Sequence, residues 1–256
     1  MRSLAAAASI VLASLTVTAQ SRQSAPPPPA DAKKIVFEMQ DALGMLRGLQ
    51  QIDAVNRIEY WGTTGSVAAQ GRTANLSKFK VSINYERPGM RFDFTRDGVR
   101  EIQVVADKYA WNEDAPGGNA APMPATVAER LLRLWLTPIG LAKSAEAAGD
   151  ATKVVFENGK TTLIFPIGGA TVRTTLNALY EPETVEARTG ATVITALYSD
   201  YGDWNDDAKA DVFLPRHLVQ KKGGVTEFDL TLEHTNTYNP YVIMPVPENV
   251  SKAAGR

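Results

Sequence analysis

Two histidines, His217 and His234, are the only imidazoles in the chain, and it contains no cysteine. Nucleophilic catalysis of the hydrolase kind needs a serine or cysteine on a tight elbow with a base in reach. No Gly-x-Ser-x-Gly motif occurs here. Both histidines fall in strand-like segments, where an imidazole is ordinarily a sheet-surface side chain. A zinc site draws three or four ligands from His, Cys and carboxylates, and this composition is a poor start for one. Asp203, Asn205, Asp207 and Asp211 stand at positions one, three, five and nine of an EF-hand-like loop. Ala208 replaces the turn glycine and Leu214 the bidentate glutamate, so this stretch reads as a solvated acidic hairpin loop. Gly117-Gly118 and Gly168-Gly169 lack the lysine and following helix of a phosphate cradle. The residues therefore point to no catalytic group, no metal and no cofactor. Binding is the chemistry left to examine, and its candidates are apolar.

Those apolar residues belong to elements with a clear period. Phe79, Val81, Ile83 and Tyr85 alternate with Lys80, Ser82 and Asn84, which predicts a strand with one buried face. Phe92 and Phe94 return after the turn at 86–89, and Asp97-Gly98 predicts the next hairpin. Near the end, Phe228, Leu230 and Leu232 alternate with Glu227, Asp229, Thr231 and Glu233, behind a Gly223-Gly224 turn. Asn158-Gly159 marks one more hairpin in the second half.

Helices are fewer. Ile35, Met39, Leu43, Leu46 and Leu49 lie near helical spacing after Asp31, predicting an N-terminal helix of about four or five turns at 3.6 residues per turn. Gly44 and Gly48 weaken it. In mid-chain, Thr126 and Glu129 have capping-box spacing ahead of an apolar run containing Leu131, Leu132, Leu134, Trp135 and Leu136. Thr137-Pro138 stops that helix and starts a second, reaching about Ala148. The order is helix, strands, two helices, strands, with no repeat and no βαβ alternation. It predicts an α+β fold: one curved antiparallel sheet, a half-open barrel, with a two-helix lid inserted mid-chain.

The chain has 256 residues and a net charge of −1, which becomes −2 if Arg2 leaves with a leader. That balance offers no basic surface for nucleic acid. Arg2, an Ala-rich apolar run over 4–15, and small residues at Val17 and Ala19 predict a Sec-type signal peptide over 1–19, with a mature start near Gln20. The run is shorter than the ~20 residues that span a bilayer, and no second one follows. Four consecutive prolines within 20–30 predict an extended linker. Residues 31–250 are then expected to form one domain of a periplasmic or secreted protein.

The leader, the first helix, the apolar mid-chain insertion and the closing pattern Tyr198-Ser-Asp-Tyr201, Leu214-Pro215, Gly223-Gly224 and Asp229-Leu-Thr together resemble the LolA-like superfamily. The resemblance implies an exported half-barrel whose helical lid closes over an apolar cavity. Tyr109-Ala-Trp-Asn112 and the run 128–138 also resemble the leading domain of some exported chains that continue into metallo-β-lactamase-type hydrolases. No His-x-His-x-Asp motif exists here and the sequence stops at Arg256, so no hydrolase role follows.

The expected function is therefore a non-catalytic binding protein that holds an acyl chain or a lipidated protein. The expected lining is Phe79, Val81, Ile83, Tyr85, Phe92 and Phe94 from the first strands, Phe228, Leu230 and Leu232 from the last, and Leu131, Leu132, Trp135 and Leu136 from the lid. A structural module of the cell envelope with a filled core, docking another envelope protein or a hydrolase, is the alternative. An enzyme is the third.

Overall fold

The computed structural model describes residues 31–46, 53–69, 72–205, 211–237 and 239–253. The stretches 1–19 and 20–30, expected to be a signal peptide and a linker, lie outside them, as do Gly48, Leu49 and Asp207. The architecture is α+β, dominated by a single curved, open antiparallel sheet.

The first half of the sheet is a meander. β1 (Arg57–Gly62) and β2 (Thr64–Ala69) run end to end beside the long β3 (Arg72–Asn84), with Trp61 opposite Lys80 and Val67 opposite Ala74. β4 (Gly89–Arg96), β5 (Val99–Ala106), β6 (Tyr109–Glu113) and the short β7 (Ala121–Pro122) follow in order outward. The second half mirrors it: β8 (Lys153–Glu157), β9 (Lys160–Ile167), β10 (Ala170–Leu176), β11 (Pro182–Thr189), β12 (Thr192–Asn205) and β13 (Asp211–Lys222). β14 (Val225–Thr231) and β15 (His234–Asn236) run end to end beside β2 and β1, joining the halves at a central seam. The Asp97-Gly98, Asn158-Gly159 and Gly223-Gly224 turns all have both residues at positive φ, as the right-handed twist of a tight hairpin requires.

This order puts β7 and β8 at the two free edges, and the helices are the chain that connects them. α2 (Val127–Trp135) packs on β4, β5 and β6; α3 (Pro138–Ala147) packs on β9. α1 (Ala32–Ala42) lies against α3 and β8. The main core sits between the helices and the inner sheet face, where Met39, Leu134 and Leu141 meet Phe79, Ile83 and Phe165. A smaller cluster of Ile102, Val104 and Trp111 is covered by Val250 from α4 (Glu248–Ala253).

Two helical boundaries differ from expectation. Asp31 caps α1 as its spacing predicts, accepting from the Lys33 amide at 3.0 Å. The helix nevertheless ends at Ala42, because Gly44 takes a positive φ of 73° and turns the chain away. Thr126 does not form a capping box. A 3-10 turn over Pro124–Thr126 precedes α2, so Thr126 is already in helical conformation, and its hydroxyl donates backward to the Met123 carbonyl. Thr137 does cap α3, accepting from the Gly140 amide at 3.3 Å, with Pro138 in the first turn.

Candidate functional site

Beneath α2 lies a cleft of about 270 Å³. Its floor is the inner sheet face: Val67 from β2, Phe92 and Phe94 from β4, and Phe228 from β14. Its wall is α2, which contributes Thr126, Glu129, Arg130 and Arg133. Phe92 lies 4.7 Å from Phe94 and 5.7 Å from Phe228, centroid to centroid, so aromatic rings from both halves of the sheet meet here. Past Phe92, Phe228, Gln103, Arg130 and Arg133, which line both spaces, a second cavity of about 40 Å³ opens inward. Val81, Leu218, Gln220 and Leu230 help to enclose it.

The charges on the α2 wall are tied to the sheet. Arg133 donates to Glu129 at 2.6 Å and to Glu227 at 2.5 Å, and its guanidinium lies 5.2 Å from the centre of the Phe228 ring. Lys222 donates to the other oxygen of Glu129 at 2.5 Å. Partial burial pushes the Glu129 carboxyl up, but the Lys222 hydrogen bond and the Arg133 charge outweigh it and hold the group below its ordinary 4.5. Glu227 reaches the cleft because of a bulge. The β13–β14 register jumps from Gln220 opposite Phe228 to Lys221 opposite Thr226, leaving Glu227 as the extra residue. Strict alternation would put it on the outer face with Asp229.

Arg130 differs from its neighbours. It is 8% exposed and donates only to neutral acceptors: the Val104 carbonyl at 2.9 Å, the Trp111 carbonyl at 2.8 Å and the Asn112 side-chain oxygen at 2.6 Å. These bonds latch α2 to the β5–β6 hairpin. Burial, with the Arg133 charge close by, pushes its pKa down to about 10.

The corner between α2 and α3 is held from below by two buried tyrosines. The Tyr85 and Thr137 hydroxyls share a hydrogen bond of 2.8 Å, and Tyr198 donates to the Leu136 carbonyl at 2.5 Å. Burial raises both phenols well above their usual range.

Of the residues expected to line an apolar site, the structure gathers Val81, Phe92, Phe94, Phe228 and Leu230 at the cleft or inner cavity. Phe79, Ile83, Tyr85, Leu136 and Leu232 are packed in the core. Leu132 and Trp135 are half-buried against it, with the Trp135 ring 5.9 Å from Tyr85, and Leu131 is also half-buried. The polar members of the site, Arg130, Arg133, Glu129, Gln103, Gln220 and Glu227, were not apparent from periodicity. The one available signal was two arginines placed within an otherwise apolar helix.

The histidines lie elsewhere. His217 pairs with Asp229 at 2.7 Å between β13 and β14. His234 opens β15 rather than ending the preceding strand, and stacks on Trp61 at 5.5 Å. Among the described residues, no three acids or histidines gather as metal ligands would, and no helix is long and apolar enough to cross a membrane.

No protein-family model matches this chain, and no curated protein matches it. Among solved structures it is similar to a LolA superfamily protein from Nitrosomonas europaea, at 8% identity and a TM-score of 0.47, over 86% of this chain and 97% of the other. The half-barrel described above rests on this chain's own strand pairing and helix placement.

Proposed function

We propose that this chain is an exported, non-catalytic binding protein that holds an acyl chain, free or on a lipidated protein, between α2 and the sheet. The supporting observation is the amphiphilic build of the cleft: an aromatic floor, a charged wall, and a continuation into the interior. A flexible chain lying over Val67, Phe92, Phe94 and Phe228 would remove apolar surface from water, at about 25 cal/mol per Å². The inner cavity of about 40 Å³ has room for a few water-sized groups, at roughly 10–15 Å³ each, so a long chain needs α2 to lift. The contacts that would yield are the polar ones along its rim. The small size of that cavity also favours a second reading, a structural module of the envelope whose core is already filled.

Native mass spectrometry of protein purified from an envelope fraction separates the two. Co-purified lipid, together with saturable binding of a fluorescent fatty acid, is the expected result. Protein free of lipid that also ignores every apolar probe would leave the structural module standing.

A further inference from the structure

The charges around the cleft are unevenly paired. Arg96, Arg130 and Arg133 line it, and Lys222 reaches it through Glu129; the acids are Glu101, Glu129 and Glu227. Arg96 is paired with Glu101, Arg133 with Glu129 and Glu227, and Lys222 with Glu129. The three lining arginines and three lining carboxylates balance in number, so it is their pairing that is uneven. The cation with no acid among its hydrogen-bond partners is Arg130, the most deeply buried of the lining arginines. A guanidinium has five N–H donors, and three of Arg130's are used. A charge withdrawn from water without a bonded counter-charge is costly, and Arg130 bonds only amide oxygens, the Glu129 charge acting on it from a distance.

Two further donors at the same place lack acceptors. Gln220 is 5% exposed and, among the described residues, its side-chain Nε2 is buried with no partner; the Arg133 Nε is likewise buried and unpaired. Arg130, Arg133 and Gln220 all line the inner cavity. Buried polar groups are nearly always satisfied, so donors from two arginines and one amide around a single small space call for an acceptor within it. A cationic or donor-rich group would worsen the mismatch.

Size and charge narrow the choice. About 40 Å³ accommodates roughly three water-sized centres at 10–15 Å³ each, and a carboxylate has three heavy atoms. A planar carboxylate also suits guanidinium donors and would give Arg130 the directly bonded counter-charge it lacks. A phosphate monoester is larger and brings a charge of about −1.5 to −2 at pH 7. The aromatic floor, meanwhile, begins at Phe92 and Phe228, the rings shared by cavity and cleft.

We infer that the ligand is a free aliphatic carboxylate, with its head received by Arg130, Arg133 and Gln220 and its chain laid over Phe92, Phe94 and Phe228. This rests on the binding function proposed above and narrows it to an anionic amphiphile.

The test is calorimetric titration of the mature protein at pH 7.5 with dodecanoate, dodecanol and dodecyltrimethylammonium, which share a chain length. Dodecanoate is expected to bind at least tenfold more tightly than dodecanol, and the cation more weakly than either. Arg130→Met should narrow the dodecanoate-to-dodecanol ratio to below twofold. That substitution also removes the latch to β5 and β6, so Gln220→Leu, which breaks no observed hydrogen bond, provides the second variant; it should lower the ratio several-fold. Equal affinity of the wild type for dodecanoate and dodecanol would overturn the carboxylate site and leave apolar-chain binding intact. Binding of none of the three would overturn both.

Discussion

The hydroxyl of Tyr198 on β12 donates to the carbonyl of Leu136, 62 residues earlier, at 2.5 Å. Leu136 is the C-cap of α2, so this bond satisfies a carbonyl that the helix end leaves without an intrahelical partner. Tyr198→Phe keeps the ring and deletes only the donor. A loss of about 1.5 kcal/mol is expected, at the top of the range for a neutral hydrogen bond because the abandoned carbonyl is buried. The loss should be local: hydrogen exchange should accelerate across α2 and α3 and stay unchanged in β3 and β4. Uniform acceleration would mean that the helices do not open independently of the sheet.

Ile83 and Trp135 test what the lid covers. Ile83 is fully buried near the end of β3, and Ile83→Ala is expected to cost about 2–5 kcal/mol. Trp135 is half-buried and touches the core along its Tyr85 side. Its truncation should therefore cost less than the ~3–5 kcal/mol of a fully enclosed aromatic. Urea titration of both variants gives the comparison, and a larger loss at Trp135 would show α2 to be a core helix rather than a cover.

Glu129 should make the lid acid-sensitive. Its carboxyl lies below the ordinary 4.5 in the folded protein, so its contribution is fully present above that value and is lost as pH falls through the folded value. Melting temperature followed downward from pH 6 should fall more steeply below about 4.5 in the wild type than in Glu129→Gln. Parallel profiles would remove the Arg133–Glu129–Lys222 network from any role in holding α2.

The seam between the halves depends on a glycine. A Cβ on Gly62 would lie 2.4 Å from the Thr231 carbonyl and 3.0 Å from the Phe79 ring. The first obstacle is main chain and cannot rotate away, so Gly62→Ala should cost about 1–3 kcal/mol, the range for overpacking a tight site. Gly202→Ala is the control. The atoms its Cβ would meet first belong to the Arg216 guanidinium, a flexible side-chain end, and its cost should be much smaller. Thermal melts of both variants decide it.

Much of this fold can be read from residue pattern. Two-residue turns such as Asp97-Gly98 announce themselves because few residues tolerate positive φ. Strand faces such as Phe79-Val81-Ile83 announce themselves because one side is buried. The Thr137-Pro138 boundary is legible for a similar reason: both residues favour one local geometry. The site is harder to read. Glu227 enters the cleft through a bulge, and a bulge depends on pairing with β13 rather than on anything in its own segment. Thr126 has the right spacing for a cap and loses the role to the turn that precedes it. Arg130 and Arg133 look like solvent-facing breaks in an apolar stripe, and only the position of the β5–β6 hairpin makes one of them buried.

The pairing of β2 with β14 has a consequence for how the chain folds. Thr64 lies opposite Thr231, so that contact closes a loop of well over a hundred residues, whereas nearly every other strand pair joins sequence neighbours. Closing so long a loop carries the largest entropic cost of any step, and local hairpins form first. Each half can therefore assemble as its own meander, with the seam zipping late. Mutations there, such as Leu230→Ala, should speed unfolding and leave the refolding rate nearly untouched. The free edges β7 and β8 are joined through the helices, so opening the seam would give a linear ribbon hinged at its lid. A circular permutant cut in the loop at 115–119, with residues 256 and 1 joined, would shorten the loop closed by Thr64 and Thr231 from 167 residues to 89.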